Sequence, residues 1–183
     1  RVSSGGVLAG GLALIGAGNL ATAALTASGD YRLVALGMFV TGCGAGIMNG
    51  DTQKAIMACV PPNRTGMASG ISTTTRFSAI VTAVGVLGAV LAASTHARLD
   101  RLLSAAPGLR AFADAQFMSS LLAGDLARAL ERVPPSAAGA LAQAAPVAFA
   151  SGFADALTVS GVLALVAAVV ACKLLAQPMR DGA

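Results

Sequence analysis

Apolar residues along this chain neither alternate nor keep to one helical face. They run almost continuously in four blocks, residues 5–26, 33–60, 65–94 and 152–175, separated by two short polar breaks and one long polar stretch. A helix needs roughly 20 apolar residues to cross a hydrocarbon core of about 30 Å. Each block therefore predicts one membrane-spanning helix, because in lipid the backbone has to satisfy its own hydrogen bonds. The breaks are the turn "SGDYR" before residue 33 and "VPPNRTG" before the third block, where two prolines end a helix. The third block opens on "TGMASGISTTTRF" and becomes fully apolar only from Phe77. Its thirty residues make a helix of about 45 Å, so its first turns are expected in the interface or beyond it.

The expected fold is all-α and polytopic. Three transmembrane helices lie within residues 1–95, an extracytoplasmic region occupies 96–150, and a last helix with a polar tail fills 151–183. Between Leu109 and Val133 the apolar residues Phe112, Leu122, Leu126, Leu130 and Val133 recur among Arg110, Asp114, Asp125, Arg128 and Glu131. That spacing predicts one amphipathic helix in the long loop. Pro107, Pro134, Pro135 and Pro146 are expected to act there as breakers.

Composition agrees with lipid as the solvent. Apolar residues make up 56% of the chain and charged residues 11%, with a mean hydropathy of +0.77, whereas soluble domains carry about 25% charged residues. The net charge of +4 comes from twelve basic residues scattered singly, so there is no basic stripe for nucleic acid. Arg1, Arg64, Lys173 and Arg180 fall on one side of four alternating helices, which by the positive-inside rule makes both ends cytoplasmic and the long loop outward. The chain opens on Arg1 and enters its first span without a signal-peptide pattern, and the expectation is a fragment of a longer protein. Cys43, Cys59 and Cys172 show no CxxC spacing, so small packing residues are expected, with neither disulfide, metal nor other cofactor.

Candidate functional residues are few. Asp51 and Lys54 stand three apart on the second helix and share a face, either as an end-of-helix ion pair or as a gating or substrate contact. Arg76 is either an interfacial anchor or a charge facing a central cavity. Asn19 is a further substrate- or coupling-related candidate, or else a residue that hydrogen-bonds across helices for packing. Gly42, Gly46 and Gly50 form two successive GxxxG steps that predict close helix packing, and Gly66 and Gly70 are expected to do the same. His96 reads as a solvated loop residue at the outer end of the third helix, and Asp155 as interfacial. No nucleophile, base and acid arrangement, HExxH or P-loop is present, so an enzyme is not expected.

The run "GCGAGIMNGDTQKAIMACVPPNRTGMASGISTTTRFSAIVTAVG" resembles the closing segment of the fourteen-helix drug/proton antiporters of the major facilitator superfamily. The similarity rests on Gly42, Gly44 and Gly46, then Val60 and Pro61, Arg64, the helix entry Gly66, Ala68, Ser69 and Gly70, and Thr75 with Arg76. It continues into "AFASGFADALTVSGVLAL" and covers essentially the whole chain. The resemblance implies the last four helices of a proton-coupled exporter of hydrophobic or cationic compounds in a bacterial cytoplasmic membrane. It implies as partners the bilayer, the remaining N-terminal helices, protons and a small substrate. The residues also leave open a self-contained four-helix oligomeric module, a channel or scaffold, and a carrier for a non-drug solute.

Overall fold

A computed structural model of the chain describes residues 4–26, 30–58, 60–104 and 107–175. Its elements are α1 (Ser4–Thr26), α2 (Tyr31–Ala58), a 3-10 turn (Pro62–Arg64), α3 (Thr65–Leu102), α4 (Pro107–Arg110), α5 (Ala115–Leu122), α6 (Leu126–Leu130) and α7 (Pro135–Leu175). Among the described residues there is no strand. Four of these helices are long and apolar enough to cross a membrane, which makes the chain an all-helical integral membrane protein.

Two long helices exceed the expected bounds. α3 runs to Leu102 and α7 begins at Pro135, so at 1.5 Å per residue they reach about 57 and 61 Å, well beyond a bilayer core. The added part of α7 is rich in alanine, the strongest helix former, and opens on a proline at the one position where its missing N–H costs nothing. Pro107 likewise opens α4. Pro146 lies inside α7 without ending it. Of the four prolines expected as breakers, these three are therefore accommodated by helices.

The chain divides into two compact units. One comprises Arg1–Val86 with Leu157–Ala183, the other Leu87–Ala156. In the first, α1 packs against α2 through small residues. The meeting points pair Gly11 with Gly44 and Met48, Gly18 with Thr41, and Thr22 with Gly37, so the two helices run antiparallel. α1 also meets the final part of α7, where Gly16 faces Leu165 and Gly161 faces Leu20. A Cβ on Gly44 would lie 2.9 Å from the Gly11 carbonyl, and one on Gly161 would lie 3.0 Å from the Gly16 carbonyl. The backbones approach too closely for any side chain there.

The second unit has a different interior. Leu99, Leu103, Phe117, Met118, Leu121, Ala129, Leu141, Ala145 and Ala148 form one buried cluster. The single amphipathic helix expected between residues 109 and 133 is replaced by short helices. Asp114 caps α5, accepting from the Phe117 N–H at 2.7 Å, and Asp125 caps α6, accepting from the Arg128 N–H at 2.9 Å. Between them Gly124 adopts φ 81°, a left-handed conformation that stops α5. Two N-caps and a glycine stop outweigh the helical spacing of the apolar residues. At Gly152 a Cβ would come within 2.8 Å of the Leu91 carbonyl, which is how α7 and α3 close on each other inside this unit.

Candidate functional site

Two features of the first unit bring polar side chains together. The first is a hydrogen-bonded node on α1. Asn19 is 7% exposed. Its amide nitrogen donates to Ser160 Oγ on α7 at 3.0 Å, and Thr41 Oγ1 on α2 donates to its amide oxygen at 3.1 Å. One amide thus ties three helices, the cross-helix role expected of it. Neighbouring threonines satisfy themselves: Thr22 Oγ1 donates to the Gly18 carbonyl at 2.7 Å and Thr26 Oγ1 to the Thr22 carbonyl at 2.8 Å. A hydroxyl bonded back to its own helix leaves a small, satisfied surface for a neighbour.

The second feature is a groove of about 740 Å³ between the end of α2 and the start of α3. Its polar lining comprises Thr52, Arg64, Ser72, Thr75 and Arg76. Its apolar lining includes Met48, Ile56, Met67 and Ile71. The α3 residues recur every three or four positions, so they form one stripe along the helix. Arg64 and Arg76 are twelve residues apart, about 18 Å along the axis.

The uncharged run of α3 between Arg76 and His96 covers residues 77–95, nineteen positions or about 28 Å, which matches a hydrocarbon core. Met48 is ten residues before the end of α2, about 15 Å, and Arg76 is eleven after the start of α3, about 16 Å.

The remaining expected residues are placed as follows. Gly42, Gly46, Gly66 and Gly70 have open space where a Cβ would stand. On α2 the glycines in close packing are Gly37 and Gly44 instead, because residues 37, 41, 44 and 48 share one face of α2 while 42 and 46 fall on the opposite one. The surroundings of Gly50 and the side chains of Asp51 and Lys54 lie outside the described residues, as do Cys59 and the tail at 176–183. Cys43 and Cys172 are exposed and unpaired. His96 is exposed as expected but lies within α3 rather than in a loop, and its Nδ1 lies 3.3 Å from Asp100, which also meets Arg110 at 3.3 Å. Asp155 is exposed on α7.

Sequence reasoning did not single out Ser160 and Thr41 as partners of Asn19, nor Arg64 as a groove residue. A signal for Arg64 existed in the recurrence of Arg64, Ala68, Ser72, Thr75 and Arg76 on one helical stripe. No cluster of His, Cys, Asp or Glu suited to a metal occurs among the described residues. No family model, curated protein or solved structure matches the chain.

Proposed function

We propose that this chain supplies the four closing helices of a secondary active transporter, in the fourteen-helix drug/proton antiporter branch of the major facilitator superfamily. It serves mainly as scaffold for proton-coupled export of hydrophobic or cationic compounds. The cargo binds at a midplane site shared with other helices of the carrier. One observation supports this reading above the others: residues 65–86 of α3 include none that is buried. Phe77 is 60% and Val81 71% exposed. An apolar helix this bare fits a larger bundle, in which it meets lipid on one side and further helices on the other.

Everted vesicles carrying the full-length protein test it. A proton gradient, acid inside, is expected to drive uptake of a lipophilic cation such as ethidium, and a protonophore to abolish it. Asp51→Asn and Arg76→Ala are expected to lower the rate. Uptake equal to that of vesicles lacking the protein, or indifferent to the protonophore, contradicts the proposal.

A second reading, a self-assembling membrane module, is favoured by the open space at Gly42 and Gly46. Cys43 is exposed beside that face. Disulfide-linked dimers through Cys43 in oxidised membranes support this second reading, and their absence supports the first.

A further inference from the structure

We propose that a cavity lined by α5 and α6 binds a small free zwitterion, an α-amino acid whose ammonium and carboxylate stand one carbon apart. The cavity measures about 200 Å³ and lies within the unit Leu87–Ala156. Phe117 and Ala129, 4% and 5% exposed, give it a buried apolar floor. Four charged residues line it as well: Asp114, Arg128, Glu131 and Arg132. Two carboxylates and two guanidiniums in so small a space have every reason to pair, yet among the described residues none of the four forms an ion pair. The ion pairs of this unit converge on Asp100 instead, from His96 and Arg110. Asp114 uses Oδ1 to cap α5, and Arg132 donates to Gln116 Oε1, which steadies the guanidinium while leaving most of its five donors for another acceptor.

Opposite charges that share a cavity without meeting leave a gap that a molecule carrying both signs can bridge. A simple anion or cation would satisfy one pair and face the other with a like charge. Size narrows the class further. At roughly 30 Å³ per water-sized group, the cavity holds about seven, the scale of alanine or serine. The carboxylate seats on the fork of Arg128 or Arg132, in charge-assisted bonds about twice as strong as neutral ones. The ammonium donates to Glu131 and to the second oxygen of Asp114. A zwitterionic lipid headgroup shares this chemistry, but Phe112 is the one large apolar side chain of the lining that is exposed. No apolar track leads outward for acyl chains, so the occupant is a free molecule. This assignment concerns one unit of the chain and does not depend on the transport reading.

The chain contains no tryptophan, so Phe112→Trp places a single reporter at the cavity. The full chain carrying it, in phosphatidylglycerol nanodiscs whose headgroups bear no ammonium, is titrated with alanine at constant ionic strength. Propionate and ethylamine, which carry the two charges of alanine separately, are the comparisons. A saturable change in emission is expected with alanine, at a Kd about tenfold or more below that of either half. Calorimetry on the unsubstituted chain is expected to give the same order of affinities. Glu131→Gln is expected to weaken alanine about tenfold without weakening propionate, and Arg128→Gln to weaken alanine and propionate while sparing ethylamine. A misfolded chain would not show that split. No saturable response to alanine up to about 100 mM by either method overturns the proposal. So does equal affinity for alanine and one of its halves, or full alanine affinity in the Arg128→Gln/Glu131→Gln double variant. Loss of the alanine response when phosphatidylethanolamine is doped into the disc also overturns it, by making the cavity a headgroup site.

Discussion

The unit Leu87–Ala156 and the unit built from α1, α2 and the ends of α3 and α7 are held together by opposite means. The first buries leucine, phenylalanine and methionine in one cluster. The second joins α1, α2 and the end of α7 through glycine, threonine and a single asparagine. Large apolar side chains are what water selects, because removing their surface from it is the main source of stability. Between helices already surrounded by lipid that gain vanishes, and close backbone approach with a few hydrogen bonds takes its place. One chain thus carries two packing rules, and the rule changes along the same helices, since α3 and α7 contribute residues to both units.

Substitutions separate the two rules. The largest effect is expected for Leu141→Ala, at a side chain with 0% exposure in the leucine-rich cluster. Its loss should cost about 3 kcal/mol or more from transfer and cavity together, read as a lowered thermal midpoint in detergent. Val169→Ala, on an exposed face of α7, should cost almost nothing. Next comes Gly18→Val, where a Cβ would lie 2.8 Å from the Thr41 backbone nitrogen. Forcing α1 and α2 apart should cost about 2 kcal/mol, whereas Gly42→Val, facing open space, should change stability by less than about 0.5 kcal/mol. A cost as large at residue 42 as at residue 18 would mean that another helix covers the outer face of α2. A smaller loss is expected for Asn19→Leu, about 1 kcal/mol for two cross-helix bonds. The double variants Asn19→Leu/Thr41→Val and Asn19→Leu/Ser160→Ala, measured against the singles, would show whether the three residues act as one unit.

The four spans are legible in the sequence because lipid imposes a length that composition alone reveals. Their ends are less so. Pro135 and Pro146 read as breakers, yet the first sits at a helix start and the second is tolerated within a helix, and proline type alone does not distinguish these. The Gly42 and Gly46 steps show the same ambiguity from another side. α2 carries small residues on two faces, 37, 41 and 44 on one and 42 and 46 on the other, and only the position of α1 decides which pair closes. Asn19 was legible as a cross-helix donor but its partners were not, since Thr41 and Ser160 lie 22 and 141 positions away. Arg76 was visible as a charge at the edge of a span. Its grouping with Arg64 and a hydroxyl stripe needed the register between α2 and α3.

The central claim is that α3 crosses a bilayer. Labelling of single cysteines, on a background with Cys43, Cys59 and Cys172 replaced, tests it most directly. In intact cells a membrane-impermeant maleimide is expected to reach Ala127→Cys, in α6, and to reach Asn63→Cys, in the 3-10 turn before α3, only after permeabilisation. Labelling of both cysteines from outside in intact cells would contradict the crossing.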